Sequence, residues 1–146
     1  MRIVIQRVKR ASVTIDGKIS GKIEKGLLLL VGIHKSDTKA EADWCIRKIP
    51  KLRIFEDSEG KMNRSAEEVE GEILVVSQFT LYGDTKKGMR PSYIEAARQD
   101  VAEPIYEYMI DKLKKDSGLT VESGEFGAMM QVELVNDGPV TLILER

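Results

Sequence analysis

Histidine and cysteine are almost absent from this chain of 146 residues, which contains one of each. A zinc or iron site requires several His, Cys or carboxylate ligands that converge on one point, and no such spacing occurs here. We therefore predict no bound metal. The single cysteine, Cys45, cannot form an internal disulfide, which fits a reducing compartment.

Long apolar runs and an excess of positive charge are also lacking. The longest apolar run, Leu27 to Val31, is much shorter than the roughly 20 residues that a membrane span requires. The amino terminus lacks the pattern of a secretory signal, so we expect a cytoplasmic protein with no membrane partner. The formal net charge is -1, so the chain has no global basic field of the kind that many nucleic-acid-binding proteins carry. We predict no DNA partner, and charge alone does not predict RNA binding.

Motifs for conventional catalysis are missing as well. The sequence has neither a P-loop nor a G-x-G-x-x-G motif, so we predict no nucleotide cofactor. The only imidazole, His34, follows an apolar strand and is interpreted as structural, which leaves a hydroxyl nucleophile without an obvious base. Catalysis by backbone N–H groups is the mechanism that these absences leave open. Each positioned donor can lower an acyl-transfer barrier by about 3 kcal/mol. A protein that binds a ligand without catalysing a reaction would lack the same catalytic motifs.

Length and composition predict one compact domain that spans residues 1–146, because 42% of the residues are hydrophobic and 32% are charged. The amino-terminal third reads as a β-meander with a tight turn at Asp16-Gly17. Leu27 to Val31 is interpreted as a strand buried on both faces.

Two helical regions are predicted from capping boxes and apolar periodicity. Thr38 with Glu41 begins the first helix, which ends at Pro50 and places Cys45 on its inner face. Ser92 with Glu95 forms a second capping box, and one long or broken helix then continues to near Gly118. The order of strands, helix, strand, helices and strands favours an α+β fold.

Polar segments at two strand ends suggest a site built largely from backbone. Ser77-Gln78-Phe79-Thr80 follows the apolar strand 73–76, which we expect to continue to Leu81. Asn136-Asp137-Gly138-Pro139 joins the strands 131–135 and 140–144. Glycine adopts backbone angles closed to other residues and proline fixes its own φ, so this joint can hold its carbonyls rigidly. An ordinary strand end and an ordinary turn are the alternative interpretation.

The sequence resembles the D-aminoacyl-tRNA deacylases over nearly its full length. Ser77-Gln78-Phe79-Thr80-Leu81 resembles the SQxxL signature of that family, and residues 136–141 resemble its NxGPVT signature. Both signatures occur in the family's order and at its usual distance from the carboxyl terminus. The resemblance implies hydrolysis of the ester that joins a D-amino acid to the terminal ribose of tRNA, and it extends to glycine mischarged onto tRNA(Ala).

The resemblance also implies a homodimer of barrel-like α+β subunits, mostly antiparallel, with two to three helices. In that arrangement the Gly138-Pro139 bond is cis and reaches into the partner's active site, beside residues 77–80. Two rigid carbonyls can then exclude L-amino acids sterically, whatever side chain is attached. Glycine has no side chain to reject, so we expect it to be a partial substrate.

Two roles for Thr80 are open at this point. Thr80 is either a nucleophile that forms an acyl-enzyme, or its backbone N–H acts with that of Phe79 to hold the oxyanion while water attacks with help from the ribose 2'-hydroxyl. We favour the second. Gln78 is expected to orient the strand or to contact the substrate, and Ser77 is either catalytic or structural.

Further residues are candidates for substrate and tRNA binding. Met129 is placed either in the pocket for the terminal adenosine or in the core, and Arg7 either contacts the substrate or braces the dimer or the Gly-Pro joint. Lys86, Lys87 and Arg90 are the expected contacts to tRNA phosphates. Two rival functions stay open, namely an RNA-end or nucleotide-binding module without turnover and a small-molecule aminoacyl esterase.

Overall fold

The computed structural model describes residues 1–146, which form eight strands, two α-helices and two short 3-10 turns. The helices are α1 (Lys39–Lys48) and α2 (Gln99–Ser117), and the 3-10 turns are Ile49–Lys51 and Phe79–Tyr82. Neither helix combines the length and the apolarity that crossing a membrane requires. The strands are β1 (Arg2–Ile15), β2 (Lys18–Ile23), β3 (Gly26–Gly32), β4 (Phe55–Glu56), β5 (Met62–Arg64), β6 (Glu72–Ser77), β7 (Val121–Ser123) and β8 (Gln131–Glu145).

A mixed sheet curls into a nearly closed barrel around the long first strand. β1 pairs antiparallel with β2 and β3, and it also pairs antiparallel with β8. β6 is the exception, because it lies parallel to both β3 and β7. The predicted α+β class and the mostly antiparallel, barrel-like sheet are therefore confirmed, with two α-helices.

Two apolar clusters hold the sheet together. The larger cluster lies between the sheet and the two helices and includes Leu27, Cys45 and Met109, each fully buried. The smaller one includes Leu28 and Leu74 on the adjoining strands β3 and β6. Adjacent residues of β3 belong to different clusters because side chains alternate across a strand. The prediction that this strand is buried on both faces is confirmed.

The first predicted helix is confirmed in its cap and its inner face. The Thr38 hydroxyl accepts a hydrogen bond from the Ala40 N–H at 3.2 Å, and the Glu41 carboxylate accepts one from the Thr38 N–H at 2.8 Å. These bonds satisfy donors that the first helical turn leaves free. Cys45 is buried, and this burial raises the pKa of its thiol to about 11.

The prediction of a second capping box, at Ser92 and Glu95, is wrong. Ser92 instead forms a β-bridge with Asp84, in which each backbone N–H donates to the other residue's carbonyl at 2.8 and 2.9 Å. Because this backbone is committed to the bridge, α2 begins only at Gln99, after an N-cap residue, Arg98, that makes no side-chain cap. The helix ends as predicted at Gly118, which has the left-handed φ of 69°.

The structure also corrects two strand predictions. β6 ends at Ser77, and residues 79–82 form a 3-10 turn rather than a continuation of the strand to Leu81. Residues 131–145 form one strand, because both halves of β8 pair with the same partner, β1, on either side of the Gly-Pro joint. The predicted tight turn at Asp16-Gly17 is present, with φ of 48° and 76° at its two residues.

Candidate active site

A cavity of about 470 Å³ lies at the carboxyl end of β6. One part of its wall comes from β3, from the end of β6 and from the start of the following 3-10 turn, and another comes from residues 126–130. Most of its lining is apolar, as is typical of small-molecule sites. The lining residues are Val31, Ile33, Val76, Ser77, Gln78, Phe79, Ala97, Ala102, Phe126, Gly127, Ala128, Met129, Met130 and Val132.

The change from strand to 3-10 turn leaves two backbone donors free beside this cavity. The Gln78 N–H still donates to the Val31 carbonyl of β3, at 2.8 Å. The first hydrogen bond of the turn joins the Leu81 N–H to the Gln78 carbonyl, at 3.3 Å. The N–H groups of Phe79 and Thr80 precede that bond, so the turn supplies no acceptor for them.

Thr80 is bonded to an amide and not to a base. The Gln78 side-chain amide donates to the Thr80 hydroxyl, which is exposed. The only imidazole in the chain, His34, bonds to Ser36 and Glu95 through its two ring nitrogens. No carboxylate or imidazole therefore lies within hydrogen-bond distance of the Thr80 hydroxyl.

Two large apolar side chains stand exposed on the cavity wall. Phe79 is 57% exposed, and its ring meets the Tyr93 ring edge-on at a centroid distance of 5.1 Å. Met129 is 90% exposed, so its assignment to core packing is wrong in this chain. Its place on the wall is compatible with the alternative, a contact to a ligand.

The sequence analysis missed two side chains that hold the cavity in shape. Arg2 donates to the Leu81 carbonyl at 2.7 Å and lies 5.0 Å over the Tyr82 ring, so it fixes the end of the 3-10 turn. Burial raises the pKa of Tyr82 to about 12. The buried Tyr106 hydroxyl lies 2.9 Å from the Val75 carbonyl of β6 and 3.3 Å from that of Gly124. No local sequence pattern marks either residue.

The Gly138-Pro139 joint lies away from this cavity within one chain. Its peptide bond is cis, Gly138 has a φ of 120°, and both residues are exposed. The positions of the joint and of Ser77 can both be referred to β1. The joint lies opposite Arg7 of β1, whereas Ser77 pairs with Val31 of β3, which in turn pairs with Ile3 of β1. These levels are about 13 Å apart along the strands, and along β8 Gly138 lies six residues, or about 20 Å, from Val132 of the cavity lining.

Arg7 lies under the joint and outside the cavity. Its side chain is 5% exposed, donates to the Ile54 carbonyl at 2.7 Å and pairs with the Asp137 carboxylate at 3.2 Å. A Cβ added to Gly138 would lie 3.0 Å from an Arg7 guanidinium nitrogen. Of the three roles considered for Arg7, these contacts match bracing of the Gly-Pro joint, and substrate binding and bracing of the dimer stay predictions.

The three predicted tRNA contacts share one exposed loop. Lys86, Lys87 and Arg90 lie between Asp84 and Ser92, whose bridge closes the loop at its base. None of the three forms an ion pair with a carboxylate. No group of three or more His, Cys, Asp or Glu side chains is arranged to hold a metal ion.

Comparison with known proteins places the whole chain in one group. The family model described as D-Tyr-tRNA(Tyr) deacylase matches residues 4–145. A D-aminoacyl-tRNA deacylase of Exiguobacterium sibiricum is 58% identical over all of both chains. One of Thermosipho melanesiensis is 54% identical over 99% of this chain and 97% of the relative.

Two solved structures share the fold. A structure described as c-Myc DNA Unwinding Element Binding Protein is 43% identical with a TM-score of 0.92, and the match covers 100% of this chain and 99% of that one. A probable eukaryotic D-amino acid tRNA deacylase is 18% identical with a TM-score of 0.85, over 98% and 97% of the two chains. The resemblance seen in the two signatures is confirmed by these matches, and the chain belongs to the D-Tyr-tRNA(Tyr) deacylase family.

Proposed function

We propose that this protein hydrolyses the ester bond between a D-amino acid and the terminal ribose of tRNA, releasing both. The observation that carries the proposal is the apolar cavity at the end of β6. Phe79 lines this cavity, and its backbone N–H and that of Thr80 have no acceptor within the 3-10 turn. Such donors stabilise the oxyanion of an acyl-transfer reaction. Full-length relatives named D-aminoacyl-tRNA deacylase supply the substrate class.

In the mechanism we propose, water attacks the ester carbonyl with help from the ribose 2'-hydroxyl. The N–H groups of Phe79 and Thr80 hold the developing oxyanion, and Gln78 keeps the Thr80 hydroxyl in place. Ser77 ends β6 and shapes the cavity floor. The lack of a base at the Thr80 hydroxyl supports this role over that of a nucleophile, because a neutral hydroxyl attacks slowly without one.

Selection of D-amino acids is assigned to the joint of a second subunit. The carbonyls of Gly138 and Pro139 enter the partner's cavity, where they leave no space for an L side chain. Two observations support a homodimer of this kind: the joint is exposed, and it is remote from the cavity of its own chain along the sheet. Four residues beyond Pro139 on β8, Ile143 is 68% exposed, which supplies apolar surface for the interface.

Binding of the tRNA end is assigned to the rim of the cavity and to the loop beyond it. Met129 contacts the terminal adenosine, which enters as a single strand. Lys86, Lys87 and Arg90 contact phosphates, since all three are exposed and free of carboxylate partners. The substrate is used in translation, so the enzyme acts in the cytoplasm.

Incubation with matched substrates tests the function. The protein should release D-tyrosine from D-tyrosyl-tRNA and leave L-tyrosyl-tRNA intact, and glycyl-tRNA(Ala) should be cleaved at an intermediate rate. Saturable binding without turnover would instead identify an RNA-end-binding module. Equal efficiency on a free D-tyrosyl ester without tRNA would identify a small-molecule esterase. Resistance of glycyl-tRNA equal to that of L-tyrosyl-tRNA would contradict steric exclusion.

Mixed dimers test the contribution of the partner. Phe79→Pro removes one oxyanion donor, with Phe79→Ala as the control that removes the ring and keeps the N–H, and Pro139→Ala should open the joint so that L-tyrosyl-tRNA is cleaved. After the two variants are unfolded and reassociated together at equal amounts, L-tyrosyl-tRNA should be cleaved at about a quarter of the rate of Pro139→Ala alone at the same total protein. Only the quarter of dimers with Pro139→Ala in both chains then combines an intact Phe79 with an altered joint. About half of that rate would mean that each joint serves its own chain, and would contradict a shared site.

DNA binding is the second candidate, suggested by the description of the 43% identical structure. The net charge of -1 provides no general attraction for a duplex, so we keep the prediction of no DNA partner. Fluorescence anisotropy with a labelled duplex at physiological salt should show no saturable binding. Tight binding of the duplex would overturn this choice.

A further inference from the structure

A serine, the only histidine and a glutamate form a hydrogen-bonded row outside the cavity. The Ser36 hydroxyl lies 2.7 Å from His34 Nδ1, and His34 Nε2 lies 3.0 Å from the Glu95 carboxylate. None of the three lines the cavity at the end of β6. The sequence alone predicts a structural role for His34 and a helix cap for Glu95.

The backbone determines which ring nitrogen of His34 carries the proton. The Ser36 N–H donates to His34 Nδ1 at 3.2 Å, so Nδ1 is an acceptor. We therefore assign the ring proton to Nε2, which donates to Glu95. Hydrogen bonds from Lys35 and His34 hold the pKa of Glu95 below its ordinary value, so this carboxylate is ionised at neutral pH. The Nδ1 lone pair is thus shared between the Ser36 N–H at 3.2 Å and the Ser36 hydroxyl at 2.7 Å, and the shorter of these contacts is the one that a general base requires.

The fold fixes this row from two distant parts of the chain. His34 forms a β-bridge with Ala96, and the Lys35 N–H donates to the Glu95 carbonyl at 3.0 Å. The His34 ring also packs against the Tyr82 ring at a centroid distance of 5.3 Å. The imidazole is therefore held in place, while Ser36 is exposed and open to a reagent.

We propose that Ser36 is a nucleophile at a second site of this protein, independent of the tRNA site, and that it accepts acyl groups from small activated carboxylic esters. Ser36 Oγ forms a bond to the carbonyl carbon, and the bond from that carbon to the leaving oxygen breaks. His34 Nδ1 takes the hydroxyl proton and passes it to the leaving alcohol. Water then cleaves the acyl-serine and releases the carboxylic acid.

The surroundings of Ser36 make the second step the slow one. The N–H of Lys35 is bonded to the Glu95 carbonyl, that of Ser36 to His34 Nδ1, and that of Asp37 to the His34 carbonyl. These neighbouring N–H groups are therefore not available as oxyanion donors in either step. In the first step the activated ester compensates because its leaving group departs readily, whereas the acyl-serine has an ordinary alkoxide as its leaving group, so deacylation is the slower step. The acyl group should accumulate on Ser36.

Reaction of the full-length protein with p-nitrophenyl acetate tests the proposal. We expect a burst of one p-nitrophenol per chain, followed by slow turnover, and peptide mass spectrometry should place the acetyl group on Ser36 within residues 36–39. Absence of a burst, or acetylation confined to lysines or to Thr80, would overturn the proposal. The location of the label decides the outcome in the unmodified protein, whatever the folding of any variant.

Three variants separate a reactive serine from an accidental one. Ser36→Ala should abolish the burst and leave hydrolysis of D-aminoacyl-tRNA unchanged. His34→Gln should slow the burst about 100-fold, the lower end of the effect of a general base. Ser58→Ala is the matched control, since Ser58 is exposed and has no imidazole partner, and it should leave the burst unchanged. A burst of wild-type rate in His34→Gln would contradict the role of the imidazole.

Discussion

The bond between Thr80 and Gln78 leads to the first prediction at the scale of single residues. Because the Thr80 hydroxyl meets an amide and no base, Thr80→Val should keep the single-turnover rate on D-tyrosyl-tRNA within about tenfold of wild type. Thr85→Val, in the exposed loop, is the control for a threonine outside the site. A loss of about four orders of magnitude in Thr80→Val alone would identify a nucleophile instead.

Arg7 and Lys9 both contact Asp137, but only the first is buried. The Arg7 side chain is 5% exposed and the Lys9 side chain 68% exposed, at 3.2 and 4.0 Å from the Asp137 carboxylate. Arg7→Met leaves the Ile54 carbonyl without its donor and removes the closer of the two cations at Asp137, so urea denaturation should show a free energy of unfolding lower by about 3 kcal/mol. Lys9→Met should change it by less than about 0.5 kcal/mol. Equal effects would mean that the burial of Arg7 contributes nothing.

Short motifs in the sequence indicate which residues lie side by side in one segment, whereas contacts between residues far apart in the chain were not predicted. Ser77, Gln78 and Phe79 share the cavity wall as neighbours in one segment. Arg2 contacts a carbonyl 79 residues away along the chain, and Tyr106 contacts one 31 residues away. Such partners depend on sheet order and helix packing, which periodicity does not specify.

At the scale of elements, the cap of α1 can be tested by mutation. Thr38→Ala removes the hydroxyl that accepts from the Ala40 N–H, which should lower the free energy of unfolding by about 1 kcal/mol at pH 7. Thr85→Ala serves as the control, because its hydroxyl makes no hydrogen bond within the chain. An unchanged free energy in Thr38→Ala would show that the cap adds no stability.

The same cap gives a pH dependence whose sign follows from Glu41. Hydrogen bonds from the Thr38 N–H and hydroxyl hold the pKa of Glu41 below its ordinary value of 4.5. This stabilisation is complete above the unfolded value and is lost as the pH falls through the folded one. The difference between wild type and Thr38→Ala should therefore shrink on acidification, measured as urea unfolding at a series of pH values. A difference that grows toward acid would contradict this assignment.

Errors in the predicted elements arose where tertiary pairing overrode local pattern. The Ser92 and Glu95 spacing fits a helix start, yet the bridge to Asp84 holds that backbone extended. The Gly-Pro joint suggested a turn, yet β1 pairs with both halves of β8 and keeps them in one strand. The Thr38 cap was predicted correctly because its hydrogen bonds join residues within the first turn of the helix and do not depend on distant parts of the chain.

At the scale of the whole molecule, the exposed loop predicts how binding responds to salt. Each phosphate contact that is lost lowers the slope of log K against log salt by somewhat less than one unit. Replacing Lys86, Lys87 and Arg90 by alanine together should therefore lower the slope for tRNA by about 2. A control variant that replaces two lysines outside the loop, Lys114 and Lys115 in the last turn of α2, should leave the slope unchanged. Equal slopes in both variants would place the tRNA elsewhere.

The burial of Cys45 gives the molecule a practical property for labelling studies. Its thiol is 0% exposed and has a pKa near 11, so little thiolate is present at neutral pH and reagents do not reach it. The chain contains no other cysteine. Met129 is exposed on the cavity wall, and Met89 is fully exposed in the loop between Asp84 and Ser92. A cysteine introduced at either position would thus be the sole maleimide-reactive position, and a fluorophore there would report tRNA docking without prior removal of native thiols.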